Sequence, residues 1–218
     1  MIEKKIKKLY TKSIKKYGLD DRRSLLWTKD KQDIRFNALL GENLKSTKMS
    51  ILDYGCGVCD LKDFLTRNQY NMSYNGCDIN NNFIEKAIER YPDENIFQIR
   101  TSNDILDSYD IILVSGTFNP IGIKSHEKME KYVFKNIKKL FQKTNYMLTM
   151  NFLSHITDKE YKYSGHFYLE PIKIYQYAIK ELNTTRVKID TSSLPFEITI
   201  KLYKNSEFDT KNVLFLEN

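Results

Sequence analysis

The stretch "ILDYGCGVCD", residues 51–60, constrains the fold more than any other part of the 218-residue chain. An apolar run ends in Asp53, glycines follow at 55 and 57, and Asp60 closes the segment. This is how a buried strand hands over to a helix, and glycine lets main chain come close to a ligand. A strand, a tight turn and a helix in that order open a βαβ unit. A mostly parallel α/β sheet with helices on both faces is therefore expected.

The rest of the chain continues the alternation. "NMSYNGCDI", "NIFQIR", "YDIILVSG" and "NYMLTMNF" read as strands, while "DLKDFLTRN", "NNNFIEKAIERY", residues 126–141 and "IKIYQYAIKEL" read as helices. "TRVKID" and "FEITIKLYK" follow with no helix between them, which predicts an antiparallel pair. Upstream, "TKDKQDIRFNALLGENL" reads as a helix that Thr28 caps and Gly41 ends. One domain over 1–218 is expected, with a helical cap at 1–45 and the core at 46–218.

Charge enters the argument through its distribution. The net charge is +7, but residues 1–17 hold lysines 4, 5, 7, 8, 12, 15 and 16 against Glu3 alone. Ile2, Ile6, Leu9, Tyr10, Ile14 and Tyr17 recur there at helical spacing, so the segment is an amphipathic helix. A docked helix with a solvated lysine face is preferred over a lid or an attractor for anionic substrates. Because the lysines are confined to this segment, nucleic acid is not favoured as a partner. No apolar run approaches the ~20 residues of a membrane span, and the charged N-terminus is not a secretory leader, so the cytoplasm is expected.

Three cysteines suggest no disulfide framework. The C-x-x-C of Cys56 and Cys59 has no second cysteine pair or suitably spaced histidines for zinc. It reads as two small fillers of the turn rather than a redox pair, and no metal is expected.

In an open α/β sheet the ligand lies beyond the carboxyl ends of the strands. A dinucleotide fingerprint would have glycine or alanine where Asp60 stands, and a carboxylate at that helix start repels pyrophosphate. Asp78 ends the second strand 25 residues after Asp53. Alone it suits a helix cap near Asn80 as well as it suits a ribose; beside "LDYGCG" the ribose reading is preferred. Ser102, Asn103 and Asp104 follow the third strand and can border an adenine, with Ile79 and Ile105 as apolar walls.

At this point the sequence resembles a known family. "ILDYGCGVCDL", "GCDIN", "NDI" and "DIILVSGTFN" follow one another as in class I S-adenosylmethionine-dependent methyltransferases, over residues 28–203. The resemblance implies a Rossmann-like seven-stranded sheet of order 3-2-1-4-5-7-6 with strand 7 antiparallel. It implies S-adenosyl-L-methionine as cofactor and S-adenosyl-L-homocysteine as product. Asp53, Gly55 and Gly57 would approach the methionine portion and Asp78 the ribose, with Ile79, Asn103, Asp104, Ile105 and Ser115 completing the cofactor site. The family's third glycine is replaced by Cys59, from which a tighter pocket floor is expected.

"SGTFN", "NFLSHITDKEYKYSGHFYLEP" and the pattern Trp27, Gln32, Arg35, Phe36 resemble a subgroup of small bacterial methyltransferases. Gln32 and Arg35 share a helix face. Arg35 suits either a clamp on the cofactor's carboxylate or a structural ion pair.

For the acceptor, "VSGTFNP" is not the N-P-P-[YF] sequence associated with methylation of adenine or glutamine nitrogen. Residues 152–170 form a long polar and aromatic loop of the kind that often carries function. Asn119, Asn151, Ser154, Tyr163 and Tyr168 are expected to contact substrate. His155 is the first candidate for general base and His166 the second, against the more ordinary structural role for either. The expected acceptor is a hydroxyl of a small molecule: a sugar, a nucleotide-linked sugar or a secondary metabolite. The rival readings are an RNA methyltransferase that uses the lysine helix, and a cofactor-binding regulatory protein without turnover.

Overall fold

The computed structural model describes residues 2–25, 31–41, 44–119, 125–162 and 164–205. Trp27, the Thr28 cap and Tyr163 lie outside them. Two helices, α1 (Ile2–Tyr17) and α2 (Gln32–Leu40), precede the sheet. Then come β1 (Met49–Tyr54), α3 (Asp60–Arg67), β2 (Met72–Asp78), α4 (Asn81–Arg90), β3 (Asn95–Gln98), β4 (Tyr109–Val114) and α5 (His126–Gln142). The chain continues through β5 (Thr144–Ser154), β6 (Tyr168–Leu169), α6 (Pro171–Glu181), β7 (Val187–Asp190) and β8 (Glu197–Tyr203).

The sheet runs β3-β2-β1-β4-β5-β8-β7, and β8 is antiparallel to both neighbours. With β7 and β8 as the sixth and seventh long strands, this is the expected order. The addition is β6, two residues parallel to the far end of β5 through Leu153 and Tyr168. No alternation announces so short a strand. It forms where β5 outruns β4, whose pairing ends at Met150.

The apolar runs of β1 and β4 follow from burial on both faces. Ile51, Ile111 and Leu113 pack with Phe36 and Leu39 of α2, Phe64 of α3 and Ile84 of α4. Leu52, Ile112 and Val114 pack on the other side with Met129, Val133 and Ile137 of α5 and Ile174 of α6. The period-2 alternation thus sends successive side chains into two different apolar layers.

Helix α1 docks by its apolar stripe. Ile14 packs with Val58 and Phe83, the Tyr10 ring meets the Phe83 ring edge-on, and Ser13 Oγ donates to the Arg23 carbonyl. Lysines 4, 5, 8, 12, 15 and 16 are exposed. At 100° per residue these six fall within a 120° arc, the solvated face expected of a docked amphipathic helix. No helix among the described residues is long and apolar enough to cross a membrane.

Candidate functional site

Strand order reverses between β1 and β4, and the crevice beyond their carboxyl ends is where such sheets bind ligands. A cavity with about 920 Å³ of empty space, its open mouth included, lies there. Its floor is the turn after β1. The Gly55 and Cys56 amides both donate to the Cys77 carbonyl, which pins the turn to the end of β2. Gly55 has φ +82°, and a Cβ there would stand 2.3 Å from Thr117 Oγ1. That hydroxyl donates to the Tyr54 carbonyl at 2.9 Å, so the turn after β4 is latched to the turn after β1.

Asp78 binds the same turn from the second strand. Its Oδ2 accepts from the Gly57 amide at 3.1 Å and its Oδ1 from the Asn80 amide at 2.7 Å. Helix α4 is capped by Asn80, whose side chain accepts from the Asn82 amide. Asp78 therefore does not cap the helix directly, and it lines the cavity. Burial raises its carboxyl to about 6, while the amides of Asn80, Gly57 and Ile79 pull the other way. Burial likewise raises Asp53 to about 7, opposed by the Tyr74 hydroxyl that donates to Oδ2 at 2.9 Å, and reinforced by the charges of Asp78 and Asp60. Asp60, the first residue of α3, faces the cavity and accepts from Gln32 Nε2 at 3.2 Å.

Cys59 corrects the expectation of a tighter floor. It stands at the N-cap of α3 in the left-handed conformation, φ 64° and ψ 40°, which glycine adopts most readily. Its side chain is wholly buried in the apolar layer beneath, and Cys56, not Cys59, lines the cavity. All three cysteines are free. Among the described residues no group of three or more His, Cys, Asp or Glu stands where it could hold a metal.

The structure brings Asp53, Gly55, Gly57, Asp78, Ile79, Ser115, Gln32 and Arg35 to one cavity. Arg35 also makes the ion pair that was the other reading of it: Nε donates to Glu197 Oε2 at 2.7 Å and Nη2 to Oε1 at 2.5 Å. The remaining residues stand elsewhere. Asn103 and Asp104 are exposed, and Asp104 closes a short 3-10 turn by accepting from the amides of Arg100 and Thr101. Ile105 is buried in the α5 layer, and Ile99 takes the lining position beside Ile79.

None of the described acceptor residues named from the sequence lines the cavity. Asn119 Oδ1 accepts from the Leu153 amide and its carbonyl from the Phe167 amide. Asn151 bridges the Gly116 amide and the Glu197 carboxylate. Ser154 and Tyr168 are buried at the β5–β6 junction. The His155 side chain is 53% exposed, with Nδ1 3.4 Å from Glu170 Oε2, and His166 lies in the segment leading to β6. The two ends of the long loop, at 152–154 and 168–169, thus serve to extend the sheet.

The residues that sequence reasoning missed come mainly from helices and from the turn after β4. Ile6 and Tyr10 of α1 and Phe83 of α4 line the cavity, as do Thr117, Phe118 and Tyr132 of α5. Burial and the nearby Asp78 charge raise the Tyr10 hydroxyl. Tyr10 was visible as part of an apolar stripe. Tyr132 lies three residues after the core residue Met129, a spacing that signals burial but not a cavity.

No protein-family model and no curated protein sequence matches the chain. Solved structures do match its fold. Magnesium protoporphyrin IX methyltransferase from Synechocystis PCC 6803 with bound SAM superposes with a TM-score of 0.58 at 14% identity, over 92% of this chain and 97% of that one. The plantazolicin methyltransferase BpumL, in complex with a pentazolic desmethylPZN analog and SAH, gives 0.58 at 18% identity, over 94% and 100%. A SAM dependent methyltransferase from Archaeoglobus fulgidus gives 0.60 at 13% identity, over 84% and 97%. The fold is that of class I S-adenosylmethionine-dependent methyltransferases.

Proposed function

We propose that the chain transfers the methyl group of S-adenosyl-L-methionine to a small-molecule acceptor, in the cytoplasm, with residues 1–45 as a helical cap on a core of 46–218. The observation that carries this is the Asp78 carboxylate, buried, tied to the Gly57 amide and facing the cavity at the strand-order reversal. An acceptor-only group there suits the two hydroxyl donors of a ribose. The bare turn at Gly55 and Gly57 fits the amino-acid half of the cofactor, because a side chain at Gly55 would fill that approach. Ile79, Ile99 and Phe83 offer an apolar wall to the adenine.

The cofactor supplies an activated methyl on a sulfonium. The protein's task is alignment and exclusion of water, and orientation of this kind is worth up to ~7–11 kcal/mol. Ile6 and Tyr10 roof the cavity, which supports a small acceptor over a long polymer. The expectation of a hydroxyl acceptor rests on the absence of the N-P-P-[YF] sequence, on the polar and aromatic loop and on the family likeness. Neither His155 nor His166 lines the cavity, so the lining lends no support to a histidine base.

Calorimetry with S-adenosylhomocysteine tests the reading. Asp78→Ala should abolish binding; unchanged affinity would reject the assigned pocket.

A further inference from the structure

Among the described residues, Arg35 is the one Lys, Arg or His on the cavity lining. It projects from α2, which is fixed by Phe36, Leu39 and Leu40 in the apolar layer. The acids on the same lining are engaged. Asp53 accepts from the Tyr74 hydroxyl, and Asp60 from Gln32 and from Arg90 Nη1, 3.3 Å away. Asp78 accepts from the amides of Gly57 and Asn80, with Lys7 acting on it from off the lining. A ligand carboxylate in this cavity therefore meets its cation at Arg35, and the planar fork of a guanidinium matches a carboxylate.

Glu197 and Asn151 do not line the cavity, yet they determine how that fork lies. Glu197 begins β8 opposite Leu153 of β5, so Asn151 is its diagonal neighbour across the strand pair. Glu197 holds Arg35 at both Nε and Nη2, which fixes the plane and the direction of the guanidinium. Asn151 Nδ2 donates to Glu197 Oε2 at 3.3 Å, and its Oδ1 accepts from the Gly116 amide at 2.7 Å. Gly116 stands between Ser115 and Thr117, which both line the cavity. One carboxylate off the lining is thus tied to the cation on α2 and, through Asn151, to the turn after β4.

Resting on the proposed methyl transfer, we infer that Glu197 is a positioning residue: it aims Arg35 at the carboxylate of the cofactor's amino-acid half, and Asn151 keeps Glu197 and the turn after β4 in one register. The Arg35–Glu197 pair is neutral as a whole, so directed N–H donors rather than net charge select the carboxylate. A residue that touches no ligand atom then decides between ligands that have the amino-acid half and ligands that lack it.

The test compares S-adenosylhomocysteine with 5′-methylthioadenosine, the same adenosine thioether without the amino-acid half, by calorimetry. Glu197→Asp keeps the charge but shortens the arm by one methylene. It should weaken S-adenosylhomocysteine about tenfold and leave 5′-methylthioadenosine within about twofold of wild type. Arg35→Lys, which keeps the charge and loses the fork, should show the same split. Asn151→Ala, which releases Glu197 from the turn, should show a smaller one of the same sign. Asp78→Ala should lose both ligands, since both carry the ribose. Equal weakening of the two ligands by Glu197→Asp and Asn151→Ala, or no weakening, would reduce the network to a structural role. A split with Arg35→Lys alone would mean a clamp that Glu197 does not aim, and would overturn the inference as well. Either result leaves the methyltransferase reading intact, whereas failure of wild-type protein to bind both ligands would remove both.

Discussion

Arg35 and Glu197, 162 residues apart in sequence, meet as a two-pronged ion pair that ties the N-terminal helical segment to the last strand of the sheet. Their side chains are 7% and 12% exposed, and Asn151 adds a donor to the same carboxylate. Removing one member leaves a charge stranded in a poorly solvated place. Glu197→Gln should therefore destabilise the protein by about 3 kcal/mol, and Arg35→Met paired with Glu197→Leu should cost less than either single change. Urea unfolding of Glu197→Gln, of the two singles and of the double variant checks this. A double variant as costly as either single would contradict it.

The two cavity carboxyls predict a pH dependence opposite to that of a salt-bridged acid. Burial holds Asp53 at about 7 and Asp78 at about 6, against roughly 4 for an exposed aspartate. Between those limits the folded chain keeps protons that the unfolded chain has released. Stability of the ligand-free protein should therefore fall as pH rises from about 4 through about 7, by on the order of 5 kcal/mol. Asp53→Asn should flatten part of that slope and raise the melting temperature at pH 8, since an amide oxygen still accepts from Tyr74. Ligand binding runs the other way, because Asp78 must be ionised to accept two hydroxyls, so S-adenosylhomocysteine should stabilise more at pH 8 than at pH 5.5. Thermal melts across that range, with and without the ligand, decide both points.

Gly55 offers a test of the latch between the two turns. A Cβ there combines a left-handed backbone with a 2.3 Å overlap on Thr117 Oγ1. Gly55→Ala should cost at least about 2 kcal/mol. Adding Thr117→Ala removes the overlapping hydroxyl and methyl but not the backbone strain, so it should restore part of the loss. No recovery in the double variant would mean the turn had moved elsewhere.

The fold was legible because its signals are local. Runs such as Ile111–Val114 are apolar on both faces, glycine turns follow the strands, and the last two strands have no helix between them. Part of the cavity was legible for the same reason: Asp53, Gly55, Gly57 and Asp78 sit at strand ends, and strand ends converge in a parallel sheet. The rest of its lining was not. It comes from α1, α5 and the turn after β4, whose relative placement is set by packing at long range. The polar loop after β5 carried the composition of a site, yet its backbone bonds go to β5 and to Asn119. Composition reports that a loop can do chemistry; it does not report that Phe167 and Leu169 are wholly buried there.

The histidines bear on the same point. A general base that removes a proton in the transition state is worth about 10²–10⁴ in rate. His155 holds Glu170 near the surface, with a ring half exposed and off the cavity lining, and His166 also lies off it. His155→Ala and His166→Ala should each keep kcat within about threefold of wild type, measured as S-adenosylhomocysteine release with a turned-over acceptor. Small losses in melting temperature are compatible with their places in the β5–β6 junction. A hundredfold fall in kcat for His155→Ala at unchanged melting temperature would put the acceptor at the β5 tip.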